Sequence, residues 1–102
     1  QIKSPKAIEF AEKANRLAPN QPAFMDTLAM LLADRGDTTK AVELLKKAVE
    51  LAPQASSIQL NLAKVLLSNG KKEDARKILE TLSKLGDKFP GQVEVAALLN
   101  SM

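Results

Sequence analysis

The chain contains no cysteine, histidine, tryptophan or tyrosine, and its 102 residues include three phenylalanines. Without cysteine there is no disulfide, thiolate ligand or thiol nucleophile, although that absence fixes no compartment. Without histidine most routes to nucleophilic catalysis and most transition-metal sites close as well. The acidic pairs Asp34/Asp37 and Glu73/Asp74 flank helix termini, where capping and dipole effects account for them, and no Asp-x-Asp-x-Asp-Gly calcium loop occurs. Gly36, Gly70, Gly86 and Gly91 each stand at a turn, so no glycine-rich phosphate loop is left to form. No apolar run approaches the roughly 18 residues needed to span a bilayer. Within these residues neither a signal peptide nor a lipidation motif is expected, and an address label would lie in the longer protein from which the domain is expected to come. An enzyme is therefore not expected, nor a cofactor, a metal centre or direct membrane insertion.

What remains is 45% hydrophobic and rich in the helix formers Ala, Leu, Lys and Glu, with no alternating β-branched run. The class is all-α, and with so few aromatics the core must be built from Ala and Leu, small residues that bring helices close. The net charge of +3 favours solubility more than it indicates a polyanion partner.

Pro22 to Pro53 reads as one complete helix–turn–helix unit. Phe24, Met25, Leu28, Ala29, Leu31 and Leu32 form an amphipathic stripe, Gly36-Asp37 interrupts it, Ala41, Val42, Leu44, Leu45, Ala48 and Leu51 resume it, and Pro53 stops it. A shift of 34 residues brings the punctuation back: Leu28/Leu62, Ala29/Ala63, Leu32/Leu66, Gly36/Gly70, Ala41/Ala75, Leu45/Leu79 and Leu51/Leu85. The opposite shift lays Lys6-Ala7-Ile8-Glu9 over Lys40-Ala41-Val42-Glu43 and Leu17-Ala18-Pro19 over Leu51-Ala52-Pro53. Two helices in each fixed period signal a solenoid rather than a globular bundle.

Along the chain, Ser4-Pro5 is a helix start, and a helix over about Pro5–Ala18 places Ala7, Ile8, Ala11, Ala14 and Leu17 inward. Further helices are expected over Pro22–Arg35, Thr38–Ala52 (capped by Asp37 or Thr38), Ser56–Asn69 and from Lys72 to about Leu85-Gly86. Pro53 to Pro90 overshoots the period by three residues, and Gly86 to Lys88 is the expected site of the insertion. A short last helix, Val93–Asn100, carries Val95, Leu98 and Leu99 and covers the apolar edge. The expected organisation is a single array over 1–102, a solenoid fragment of about six helices. In it, 5–19 is the second helix of a partial repeat, 22–53 a full repeat, 56–90 a full repeat with a short insertion, and 92–102 a cap. The chain begins at Gln1 rather than Met, so the expectation is a domain cut from a longer protein.

These residues resemble the tetratricopeptide repeat (TPR), in which small and large side chains lock two helices into a right-handed solenoid. Leu28, Ala29, Leu32, Gly36, Ala41, Leu45, Ala48 and Pro53 occupy its signature positions in one repeat, and Leu62, Ala63, Leu66, Gly70, Ala75, Leu79 and Leu82 those of the next. Met25 and Gln59 stand where that pattern has Trp, Ala29 and Ala63 where it has Gly, and Leu32 and Leu66 where it has Tyr. The wording Asp26-Thr27-Leu28-Ala29 followed by Leu31-Leu32-Ala33-Asp34-Arg35-Gly36-Asp37 resembles more narrowly the terminal arrays of the repeat-containing lipoprotein of bacterial exosortase (PEP-CTERM) systems. That second resemblance implies a role in exopolysaccharide export and a place in the cell envelope or periplasm. Without it, the expected location is cytoplasmic.

In such a solenoid the first helix of each hairpin lines the concave face, which suits an extended or helical peptide. The groove positions are Asp26, Thr27, Met30 and Asp34 on one helix and Leu60, Asn61, Lys64 and Ser68 on the next. Asn61 can pin a peptide backbone and Lys64 can pair with a carboxylate. Each also has an ordinary reading: Asp26, Asp34 and Ser68 as solvated surface, Met30 and Leu60 as helix packing. Lys64 is one cation where the family's clamp for peptide C-termini has more, so a chaperone-tail ligand is disfavoured. Lys71, Lys72, Arg76, Lys77, Lys84 and Lys88 alternate with Glu73, Asp74, Glu80 and Asp87 and lack an aromatic to stack a base. The expected partner is thus a protein segment. RNA binding and a purely structural spacer are the alternatives, and Ile8, Phe10, Val95 and Leu99 offer end-to-end self-association.

Overall fold

The computed structural model describes residues 5–102. Its six α-helices are α1 (Pro5–Leu17), α2 (Pro22–Asp34), α3 (Thr38–Leu51), α4 (Ser56–Ser68), α5 (Lys72–Ser83) and α6 (Gln92–Asn100). A single 3-10 turn, Gly86–Lys88, falls where the extra three residues were expected, and α5 ends at Ser83, short of the expected Leu85-Gly86. The expected cap at Ser4 lies outside the described residues.

The turns follow from local chemistry. Gly36 has φ +100°, a left-handed backbone that a Cβ disfavours. Its N–H bonds Ala33 O at 3.0 Å while the Asp37 N–H reaches Leu32 O at 2.8 Å, so two orphan carbonyls of α2 are satisfied as the chain reverses. Gly70 and Lys71 repeat the closure on α4, bonding Leu67 O at 3.1 Å and Leu66 O at 2.8 Å. Neither Asp37 nor Thr38 caps α3 with its side chain, contrary to expectation. The Asp37 carboxylate accepts from the Arg35 guanidinium, at 2.8 and 3.1 Å, both contacts on Oδ2. Thr38 Oγ1 donates instead to Asn69 Oδ1 at 3.0 Å, tying the start of α3 to the end of α4.

Each helix packs on its neighbours in chain order, and α2 also touches α4. The second helices of the hairpins, α1, α3 and α5, make at most marginal contact with one another. Contact of α2 with α4 while the second helices splay curves the row and puts α2 and α4 on its concave side, where an ion pair ties α6 to α4. On the convex side, a gap of about 370 Å³ between α1 and α3 opens over Leu28 and Leu32. The molecule measures 36 × 25 × 21 Å. It is an all-α solenoid.

The core is as poor in large side chains as the composition demands. Ala29, Ala41, Ala48, Ala63 and Ala75 have no exposed surface, and they bring helix backbones together around Met25, Leu45, Val65, Leu79, Leu82 and Val95. Ile8 and Ala11 of α1 are buried, but Leu17, expected inward, is 77% exposed. Each step of three along a helix falls about 60° short of a full turn, so a stripe run through 8, 11, 14 and 17 ends on the opposite side. Phe24 and Leu51, also placed on apolar stripes, are likewise exposed.

Candidate partner-binding face

The concave face is built by α2, α4 and α6; α2 and α4 are apolar on more than one flank because each lies between the preceding and following second helices, whereas α6 packs chiefly on α5. That leaves a narrow outward strip on each. On α2 the strip carries Asp26 and Thr27, on α4 Asn61 and Lys64, and on α6 Glu94.

The strips are stitched together. Asn61 Nδ2 donates to Asp26 Oδ1 at 2.9 Å, joining α4 to α2. A carboxylate only accepts, so this contact fixes the orientation of the amide. Asn61 keeps its carbonyl oxygen and second N–H for another group, and Asp26 keeps its other oxygen. Lys64 Nζ lies 2.9 Å from Glu94 Oε2, joining α4 to α6, with both side chains substantially solvated. Such a pair is worth roughly 0–1 kcal/mol, so a carboxylate on a ligand can replace Glu94 at little cost.

The other expected groove residues sit differently. Leu60 is buried in the core, and Met30 packs against it half-buried, so neither offers its full side chain to the face. Thr27 Oγ1 donates to Ala23 O at 3.0 Å and Ser68 Oγ to Lys64 O at 3.2 Å, each on its own helix. Asp34 is exposed in the last turn of α2. Glu94 did not figure among the sequence-derived candidates. The signal was an acidic residue in the first turn of the last helix, which reads there as an ordinary dipole partner.

Among the described residues no group of three or more metal-ligating side chains occurs, and no helix is long and apolar enough to cross a membrane. Within the basic segment of α5, Arg76 Nη1 is held by Glu73 Oε1 at 2.9 Å.

A tetratricopeptide-repeat family model matches residues 32–101. The chain belongs to the tetratricopeptide repeat family. The structure resembles the crystal structure of yeast Tom70, with a TM-score of 0.74 and 31% identity over 92% of this chain and 19% of that one. It also resembles a Thermobaculum terrenum O-GlcNAc transferase mutant, with a TM-score of 0.73 and 26% identity over 80% of this chain and 16% of that one. This TPR chain thus spans less than a fifth of either relative. No curated protein matches it at a significant level. TPR arrays are commonly protein–protein interaction scaffolds.

Proposed function

We propose that this TPR array is a non-catalytic scaffold, one domain over 1–102, that holds an extended or helical segment of a protein partner on its concave face. The observation that carries the reading is the cross-helix ladder Asp26–Asn61 and Lys64–Glu94. It presents, on preformed helices, an oriented amide with spare donor and acceptor capacity beside a cation held by an exchangeable ion pair. A peptide backbone takes the amide and an acidic side chain takes the lysine. The face is built on packed helices, so binding needs little rearrangement.

Panning a displayed peptide library against the folded domain tests this. Selected peptides should carry an acidic residue, and Lys64→Glu or Asn61→Ala should weaken them at least tenfold in protein that still melts cooperatively. Selection of peptides indifferent to both substitutions would remove the concave face from consideration. The wording of residues 26–37 supports a more specific setting, a bacterial cell-envelope assembly linked to exopolysaccharide export. Co-fractionation with the envelope checks that setting, and recovery in the cytosol excludes it.

A further inference from the structure

The charges on the concave face do not balance. Lys64 Nζ is neutralised by Glu94 Oε2 at 2.9 Å. The bond that Asp26 Oδ1 accepts at 2.9 Å comes instead from the neutral amide of Asn61. Among the described residues no lysine or arginine pairs with Asp26. Asp26 is already half-buried, so solvent supports its charge only from the open side of the face. A segment laid across the Asp26–Asn61 bond removes that solvent. Stripping water from an ionised carboxylate is unfavourable unless the segment brings a donor of its own, and a cationic donor offsets the loss most. Lys64 is in a different position: a ligand carboxylate replaces Glu94, whose side chain is 48% exposed and returns to solvent.

We propose that the partner segment sets a lysine or arginine on Asp26 as well as a carboxylate on Lys64, an inference that rests on the concave-face reading above. Asp26 is then a specificity-determining residue. The partner narrows from an acidic segment to one that carries both signs in a fixed order across the helices, base over α2 and acid over α4. Packed helices lie about 8–10 Å apart, and an extended chain advances about 3.3 Å per residue, so the two charges stand about three residues apart in the partner. Asn61 sits beside Asp26 on the neighbouring helix, and its spare carbonyl oxygen and N–H take the backbone between the two charges. The other carboxylates of the face are placed differently. Asp34 lies in the last turn of α2, about 12 Å along the axis from Asp26, and Glu94 faces Lys64.

The probe is a displayed library of random peptides, panned against the folded chain and against Asp26→Asn, which removes the charge but keeps an oxygen to accept from Asn61. Peptides from the unaltered chain should pair Lys or Arg with Asp or Glu about three residues away. Those from Asp26→Asn should keep the acidic residue and lose the basic preference, whereas Asp34→Asn should change neither. For a peptide selected on the unaltered chain, replacing its basic residue by alanine should weaken binding by roughly tenfold there and by less than about twofold on Asp26→Asn, as read by fluorescence anisotropy. If Asp26→Asn does not melt cooperatively, Asp26→Ser takes its place. Acidic peptides with no basic preference that still respond to Lys64→Glu overturn this proposal and leave the concave-face reading standing. Peptides indifferent to both Lys64→Glu and Asn61→Ala remove the two together. A basic preference that survives Asp26→Asn but vanishes with Asp34→Asn also overturns the proposal, because the cation would then sit at the end of α2.

Discussion

Gly36 and Gly91 both follow the pattern of a glycine at a turn, yet their structural reasons are opposite. At Gly36 an added Cβ would meet nothing within 4 Å, and the φ of +100° is what excludes other residues. At Gly91 the backbone is ordinary, φ −84°, but an added Cβ would stand 2.5 Å from the ring of buried Phe89. Gly36→Ala should therefore cost about 1–2 kcal/mol of backbone strain, and Gly91→Ala about 1–3 kcal/mol of overpacking. The two costs separate in a double-mutant cycle. In a Phe89→Leu background the Gly91→Ala penalty should shrink and the Gly36→Ala penalty should stay, as read by urea denaturation. An undiminished Gly91→Ala penalty there would mean that the ring is not the obstacle. The sequence shows that Gly91 sits at a turn, but not that an aromatic two residues earlier folds back over it, since the rotamer of Phe89 depends on a core assembled from distant helices.

At the scale of elements, helix positions were legible because they depend on neighbours in the chain. Prolines and left-handed glycines set the ends within one to three residues, and the period placed the extra turn at Gly86–Lys88. What holds that turn was not legible. Gln92 Nε2 donates to Leu82 O at 2.7 Å and to Gly86 O at 3.1 Å, so one amide closes the end of α5 and anchors the start of α6. Side-chain bonds across a loop carry no periodic signal. Gln92→Ala should cost about 1 kcal/mol, and the loss should be local. Trypsin should cut after Lys88 faster than in the unaltered chain, while the far-UV spectrum stays unchanged. Equal cleavage rates would show that packing of Val95 alone retains α6. The candidate face divides in the same way: helical spacing puts Asn61 and Lys64 on one side of α4 and the period sets that side beside α2 and Asp26, whereas the pairing of Lys64 with Glu94 depends on how α6 docks after an irregular loop.

Over the whole molecule, the sequence's period of 34 gives a row in which helices meet chiefly their immediate neighbours, with α2 on α4 bridging adjacent hairpins. In such a row stability is a sum of local terms and nearest-neighbour interfaces, and the ends have fewer interfaces than the middle. The burial pattern carries this gradient. Four residues are buried in each of α2 and α3, six in α4 and three in α5, whereas among the described residues α1 buries Ile8 and Ala11 and α6 buries Val95 alone. Hydrogen exchange followed residue by residue should therefore show α1 and α6 opening well before α3 and α4, by at least tenfold, equivalent to about 1.4 kcal/mol. A single uniform exchange rate across all six helices would mean that the row behaves as one indivisible unit.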